Sequence, residues 1–289
     1  MPELPDITVY VEAIAARVVG HSLTRVELKT PFLLRTVEPP VREAEGRVVT
    51  AVRNVGKRIA IGCDNEVWLV LHLMIAGRLH WNRKAGKVLA SMVFSSGTLN
   101  LTEAGTQHRA ALHMVRGEEG LRRLHAGGIE PLECSVAEFG EVLRRENHTV
   151  KRSLTDPHLF SGIGNAYSDE ILHRARMSPV LLTQKMTDAD IERLHEATRE
   201  TLLLWVERLR AEAAGQFPEK VTAFRDEMAV HGRFKQPCPV CQAPVQRIRY
   251  ASNETNYCAR CQTGGRVLAD RSLSRLLGSD WPRSIDELG

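Results

Sequence analysis

The chain has 289 residues, with 39 Lys plus Arg against 35 Asp plus Glu, 11 His, 6 Cys, and 43% hydrophobic and 26% charged side chains. That composition belongs to a globular protein long enough for two domains, and it excludes disordered, collagen-like and disulfide-scaffold classes. No membrane-spanning helix is expected, since the most apolar run, residues 67–77, carries His72 and falls short of the roughly 18 apolar residues a span requires. The opening MPELPD lacks a basic segment followed by an apolar one, so a cytoplasmic location is expected. The formal charge of +4 is unevenly placed: residues 231–289 hold nine basic against five acidic side chains, whereas the first 230 residues hold 30 of each. A basic end points to a polyanionic partner, because Lys and Arg that neutralise phosphates release condensed counterions. On charge alone, a solvated basic surface is the alternative.

In chain order, residues 6–19 form the first expected helix, because Ile7, Tyr10, Val11, Ile14 and Val18 recur at spacings of three and four and Gly20 supplies a stop. Residues 22–30, 47–53, 57–63 and 67–73 are β-rich and punctuated by Gly46, Gly56, Asp64 and Asn65. Two further strands, 89–94 and 98–102, are joined through Ser95-Ser96-Gly97 as a hairpin turn. One helix followed by antiparallel strands favours a β-sandwich or barrel-like domain over a parallel sheet, which needs alternating helices. The glycines and proline of AGGIEPLEC, residues 126–134, mark an interdomain connection. Helices are expected at 135–145, 149–154, 165–175 and from 187 to about 214. The last opens on a Thr187 and Asp190 capping box and is closed by Phe217 and Pro218. The fold class is therefore α+β.

Cys238, Cys241, Cys258 and Cys261 have the spacing C-x2-C-x16-C-x2-C. Two close thiol pairs separated by about 15 to 20 residues suit tetrahedral Zn²⁺, each pair on a tight turn. Residues 246–251 and 255–257 supply a hairpin between them. Redox pairs or buried cysteines are the alternative. Cys63 and Cys134 have no such partners and read as core residues. Arg247, Arg249 and Arg260 inside this small module point to a DNA-facing hairpin rather than a staple alone.

Pro2 is the other informative position. Met1 before a small residue is normally removed, leaving a secondary amine at the chain start. An α-amino group titrates near pH 8, so much of it is neutral and nucleophilic where a lysine is mostly protonated. Attack on a sugar C1′ gives an iminium, which acidifies the neighbouring carbon and permits elimination; Glu3 beside it offers general acid or base chemistry.

With MPELPD, Gly56-Lys57, the segment Ser161-Gly162-Ile163-Gly164-Asn165-Ala166-Tyr167-Ser168-Asp169-Glu170 and the four cysteines in this order, the chain resembles the formamidopyrimidine-DNA glycosylase and endonuclease VIII family from residue 1 to about Gln262. The resemblance implies a base-excision repair enzyme with an N-terminal catalytic β-sandwich over 1–125, a helix-two-turn-helix domain over 135–230 and a zinc finger over 231–262 holding one structural Zn²⁺. A C-terminal extension, 263–289, lies beyond the resemblance. Pro2 takes the nucleophile's role, Glu3 assists base departure and ring opening, and Lys57 and Asn165 match the family's phosphate contacts. The base is swung out of the stack, because C1′ is inaccessible within a duplex. The family fills the resulting gap with a methionine, an arginine and often a phenylalanine. Met74 and Arg109 are the candidates, although strict alignment places Ile75 at the methionine's position and Glu103 to Ala110 replace the usual D-P-R-R-F-G. For Met74 the alternative is a core side chain in an apolar strand. Asn253 stands where the family's finger arginine grips phosphate, so attraction falls unless Arg247, Arg249 or Arg260 compensates. The glycine-rich loop that caps 8-oxoguanine in some members is absent before Cys238. In the extension, Leu268, Leu273, Leu276 and Leu277 lie near helical spacing and predict a short helix packed on the domain. The expected function is a monomeric, bifunctional glycosylase and abasic-site lyase acting on damaged DNA. The alternative is a damage-binding protein of the same fold with weak or no catalysis.

Overall fold

A computed structural model of the chain describes all residues except 84–85, 105–108, 220, 222–224, 251–252, 279–280 and 288–289, and leaves out the side chains of 250, 253 and 271–273. The chain divides into two units, Met1–Ala126 with Leu204–Ala223, and Gly127–Leu203 with Phe224–Gly289. Among the described residues, no helix is long and apolar enough to cross a membrane.

The first unit opens with helix α1 (Leu4–Val18) and continues through strands β1 (Ser22–Leu28), β2 (Arg47–Val55), β3 (Arg58–Cys63), β4 (Val67–His72), β5 (Gly77–Trp81), β6 (Val88–Phe94), β7 (Gly97–Glu103) and β8 (Ala111–Arg116) to the short helix α2 (Gly117–Leu124). The strands run in the order β5-β7-β6-β1-β2-β3-β4-β8, and every pairing is antiparallel. β1 and β2 share only Ser22↔Val48 and Leu23↔Arg47, so the ladder is thin at that seam. Leu23, Met92, Leu99 and Leu101 from one half enter the same buried cluster as Ile59, Ile61, Leu69, Leu71 and Met114 from the other, which makes the sheet a sandwich. Ile7, Tyr10, Ile14 and Val18 of α1 join that cluster, as the helical spacing predicts. Cys63 is buried there too.

β3 and β4 are covered on both faces, because Val55, Ala60, Trp68 and Val70 form a second cluster with Leu121 of α2. Their sequences are accordingly near-continuous apolar runs with no alternation. The strands β5 and β8 and helix α2 escape a reading of the sequence because their local signals are weak. β5 begins on a glycine directly after the apolar run of β4, which hides the intervening turn. β8 carries His113 in mid-strand, and α2 has no side-chain cap on its first turn.

The second unit contains helices α3 (Val136–Arg144), α4 (Val150–Thr155) and α5 (Asn165–Arg174), the first part of α6 (Asp188–Ala213), the hairpin β9 (Gln246–Tyr250) and β10 (Asn253–Tyr257), and the short helices α7 (Ala259–Thr263) and α8 (Arg271–Leu277). The predicted capping box opens α6: the Thr187 N–H donates to Asp190 Oδ2 at 3.0 Å, and the Asp190 N–H to Thr187 Oγ1 at 3.2 Å. In the helical core Phe139 packs on Phe160, with ring centroids 4.6 Å apart, and edge-on to His195 at 5.3 Å. The α+β class stands.

The extension forms its helix, α8, which lies against β9, but Leu276 and Leu277 are not what docks it. Leu276 is 80% and Leu277 43% exposed, and the Leu273 side chain lies outside the described residues. Helical spacing tells which residues share a face and gives no sign of whether anything covers that face. The docking falls instead to the residues that flank α8. Leu268 and Ile285 enter the finger's core beside Val245, Ile248 and Tyr257, and the Leu268 N–H donates to Tyr257 Oη at 2.7 Å. Buried Asp270 accepts the Arg249 N–H at 2.7 Å, on the edge of β9 that β10 leaves open. Leu268→Ala is expected to lower the unfolding free energy by about 2–3 kcal/mol, whereas Leu276→Ala changes it by less than ~0.5 kcal/mol; urea denaturation of the two variants checks this.

Candidate active site and nucleic-acid interface

The chain start is held by the first turn of α1. The Glu3 N–H donates to Asp6 Oδ2 at 2.9 Å, a capping-box pairing that extends the helix two residues ahead of the expected Asp6. Pro5 sits in that first turn, where a missing N–H costs nothing. Pro2, Glu3 and Asp6 are all buried, Glu3 at 3% exposure, while Met1 is 37% exposed. Burial lowers the pKa of the Met1 amine from 8.0; Glu3 and Asp6 oppose the shift, and Arg78 and Lys57 add to it. Lys57, half-buried in the turn between β2 and β3, is itself lowered by burial, with Glu3 opposing. Glu3 and Lys57, distant in sequence, thus act on the same amine. Asp6 and Arg78 belong to the group and were not singled out from the sequence. Arg78 lies on the unexpected strand β5, where its Nη1 donates to the Gly77 carbonyl at 2.7 Å.

Beside Lys57 the ladder aligns Arg58 of β3 with His72 of β4, and His72 with Ala111 of β8. Burial, followed by Arg58, His113 and Lys57, lowers the His72 pKa to about 4. Its imidazole is therefore neutral at neutral pH and offers hydrogen bonds without charge.

Met74 is not a core side chain in a strand. β4 ends at His72, and Met74 occupies the following turn, half-buried, with φ 52°. Its neighbour Ile75 is 61% exposed. Arg109 is exposed, and its backbone N–H donates to Glu103 Oε1 at 2.9 Å. Residues 105–108 of the segment that replaces the family pattern lie outside the described residues.

In the second unit, Gly162 takes φ 77°, a backbone state that excludes most side chains, just ahead of α5. Asn165 opens α5, and its Nδ2 donates to the Glu254 carbonyl of β10 at 2.9 Å. Asp169 of the same helix is ion-paired to Lys151, lies 2.8 Å from His231 Nδ1, and accepts the Asn256 N–H at 3.1 Å. Glu170 accepts the N–H groups of Ala229, Val230 and His231 at 2.7, 2.9 and 3.0 Å. The finger hairpin is therefore laced to α5 by polar bonds that single-residue patterns do not reveal.

The three finger arginines differ. Arg247 is 3.2 Å from Glu254 and stacks 4.1 Å over the Phe234 ring. Arg260 lies 3.8 Å from Asp286. Arg249 is exposed, and its guanidinium makes no ion pair among the described residues. The Asn253 side chain lies outside them, although its backbone pairs with Tyr250.

The ligand atoms of Cys238, Cys241, Cys258 and Cys261 lie within 4.8 Å of one another. Sγ separations of 3.9 Å for Cys238 with Cys261, and 3.4 Å for Cys241 with Cys258, bracket the ~3.8 Å that tetrahedral Zn–S bonds of about 2.3 Å require. Burial and then the neighbouring thiols Cys241 and Cys238 push the Cys258 thiol up, a cost that a bound cation relieves. His173 Nε2, 3.3 Å from Cys238 Sγ, is placed as an outer partner to that ligand. The donor set fits a four-coordinate metal. One metal ion per chain is expected by elemental analysis of the purified protein, and its loss is expected in Cys258→Ser.

Family models match the chain in order: formamidopyrimidine-DNA glycosylase N-terminal domain over residues 1–115, formamidopyrimidine-DNA glycosylase H2TH domain over 128–213, and the zinc finger found in FPG and IleRS over 235–264. The formamidopyrimidine-DNA glycosylase of Symbiobacterium thermophilum is 31% identical, with 91% of this chain and 89% of the relative covered. That of Thermus thermophilus is also 31% identical, with 92% and 100% covered. The crystal structure of the Thermus thermophilus protein matches with a TM-score of 0.76 and 29% identity over 90% of this chain and 98% of that one. The Lactococcus lactis protein, solved in complex with DNA containing an abasic site, shares the fold with a TM-score of 0.80 at 23% identity, covering 90% and 99%. The chain belongs to the formamidopyrimidine-DNA glycosylase family, a family of DNA-binding repair glycosylases with a zinc finger.

Proposed function

We propose that the protein is a monomeric, cytoplasmic, bifunctional DNA glycosylase and abasic-site lyase that uses Pro2 as its nucleophile and holds one structural Zn²⁺ in its finger. The observation that carries this reading is the setting of the chain start, where Pro2 is buried beside Glu3 and the charges of Glu3, Arg78, Asp6 and Lys57 act on the adjoining Met1 amine. With Met1 removed, Pro2 nitrogen bonds to C1′ of the damaged nucleotide as the bond from C1′ to the base breaks, and the amine proton leaves with the base. Glu3 then delivers a proton to O4′, the C1′–O4′ bond opens, and an iminium forms between Pro2 and C1′. Loss of a C2′ proton expels the 3′ phosphate.

Lys57 holds the phosphate beside the lesion, and Met74 and Arg109 occupy the gap in the duplex. Asn165, Arg247, Arg249 and Arg260 complete the backbone contacts. Arg249 is the strongest of the finger arginines for this role, since Arg247 and Arg260 face Glu254 and Asp286. The assignment of the lyase step stops at this first elimination, because Asn253 carries no charge to hold the second phosphate.

Borohydride reduction is expected to link the protein covalently to abasic-site DNA, and Pro2→Ala to abolish the adduct. Absence of the adduct from protein shown to lack Met1 would leave a damage-binding role. Attack needs the neutral Pro2 amine, so the trapping rate should rise with pH toward the ordinary α-amino range of about 7.7–8.0. Lys57→Gln is expected to weaken binding to abasic-site duplex about tenfold or more, since a hydrogen bond to a charged group contributes ~1.5–3 kcal/mol; a fluorescence-anisotropy titration measures it.

A further inference from the structure

Two segments assigned above to the duplex gap, the turn carrying Met74 and the segment carrying Arg109, meet at one end of the sandwich. Gly77, the first residue of β5, pairs with Glu103, the last residue of β7. The Gly77 N–H closes the turn on the Leu73 carbonyl at 2.8 Å, and a Cβ at Gly77 would stand 2.3 Å from that oxygen, so only glycine fits. One residue beyond β7, the Ala104 N–H donates to the Ala76 carbonyl at 3.3 Å. The two segments therefore share a hydrogen-bonded base.

Glu103 sits at that base with 6% of its surface exposed, and its carboxylate uses both oxygens on the far side of the segment. Oε1 accepts the Arg109 N–H at 2.9 Å, and Oε2 accepts the N–H of buried Ala110 at 3.1 Å. A buried carboxylate is retained where it accepts hydrogen bonds, and here each oxygen accepts one of two adjacent amides. β8 starts at the next residue, so the pair of bonds fixes where the chain leaves the segment and enters the sheet. Arg109 is the last exposed residue before that entry, and its backbone is half of the clamp.

We propose that Glu103 is a positioning residue for DNA recognition: it clamps the backbone at Arg109 and Ala110 so that the Arg109 guanidinium is presented beside the Met74–Ala76 turn. This rests on the DNA role given to Arg109 above. Glu103 touches no DNA itself and acts through Arg109. The clamp depends on two acceptor oxygens. In Glu103→Gln one of them becomes an N–H donor facing an N–H donor, and that end of the segment is released, while Glu103→Asp keeps both acceptors on a shorter arm.

The test is a double-mutant cycle read by equilibrium binding to a duplex with a non-cleavable abasic analogue, alongside borohydride trapping at saturating abasic DNA. Arg109→Ala and Glu103→Gln are each expected to weaken binding about tenfold, and the double variant no more than Arg109→Ala alone. Glu103→Asp should bind with an intermediate loss that also vanishes in the Arg109→Ala background. The saturated trapping rate should change less than about twofold in Glu103→Gln and Glu103→Asp, a split that general loss of folding would not give. Additive losses in the double variant, or wild-type binding by Glu103→Gln, overturn the inference, as does wild-type binding by Arg109→Ala. If Glu103→Gln does not fold, Glu103→Asp in the two backgrounds decides alone. Failure of the wild-type protein to prefer the abasic duplex strikes at the proposed function, whereas a wild-type preference with no coupling strikes at Glu103 alone.

Discussion

The role proposed for the chain start as a nucleophile requires that it be held in place, and the burial of one face of α1 supplies the hold. Ile7, Tyr10, Ile14 and Val18 are fully buried in the sandwich core, so the helix cannot rotate or slide without exposing them. Everything at the chain start inherits that rigidity. Glu3 is buried because it begins this helix, and Asp6 pairs with its backbone because it lies one turn further on. The group around the amine also draws Lys57 from the β2–β3 turn and Arg78 from β5, both in strands and turns of the same sandwich. A soft core would leave the amine as an ordinary frayed terminus, solvated and mostly protonated.

The second unit solves a different problem, how to hold a small hairpin that has little core of its own. A two-stranded ribbon is marginal in water. The finger gains support from its four clustered thiols, from Asp169, Glu170 and Asn165 of α5, and from Leu268, Asp270 and Ile285 of the extension. The family model of the finger ends at residue 264, so the last of these supports lies beyond it. The same acidic groups set the charge that the finger offers. Arg247 and Arg260 face Glu254 and Asp286, which leaves Arg249 as the less encumbered cation. Counting basic residues along the sequence overstated the positive face for this reason.

Much of the architecture could be read directly from residue order. The period of α1, the β-rich runs of β1 to β4, the hairpin of β6 and β7, the capping box of α6 and the cysteine spacing are local signals, each set by neighbours within a few residues. The missed elements were those whose signal is not local. β5 and β8 are strands because β7 and β4 supply their ladders, and α2 is a helix because Leu121 completes a cluster with Trp68 and Val70. Leu276 and Leu277 show the converse: a correct local pattern whose last two leucines stay exposed.

By itself, the sequence determined which reactive groups exist and in what order: an imino acid at position 2 followed by Glu3, a Gly56-Lys57 turn, a glycine-flanked Asn165, and four thiols at metal-binding spacing. Tertiary structure alone decided which charges surround the terminal amine, that Met74 belongs to a turn beside Glu103, and which arginines are already paired. The division follows from the range of the forces. Backbone propensity and chelate spacing act over a few residues along the chain, whereas desolvation, ion pairing and strand pairing act through space between residues whose separation in sequence carries no signal.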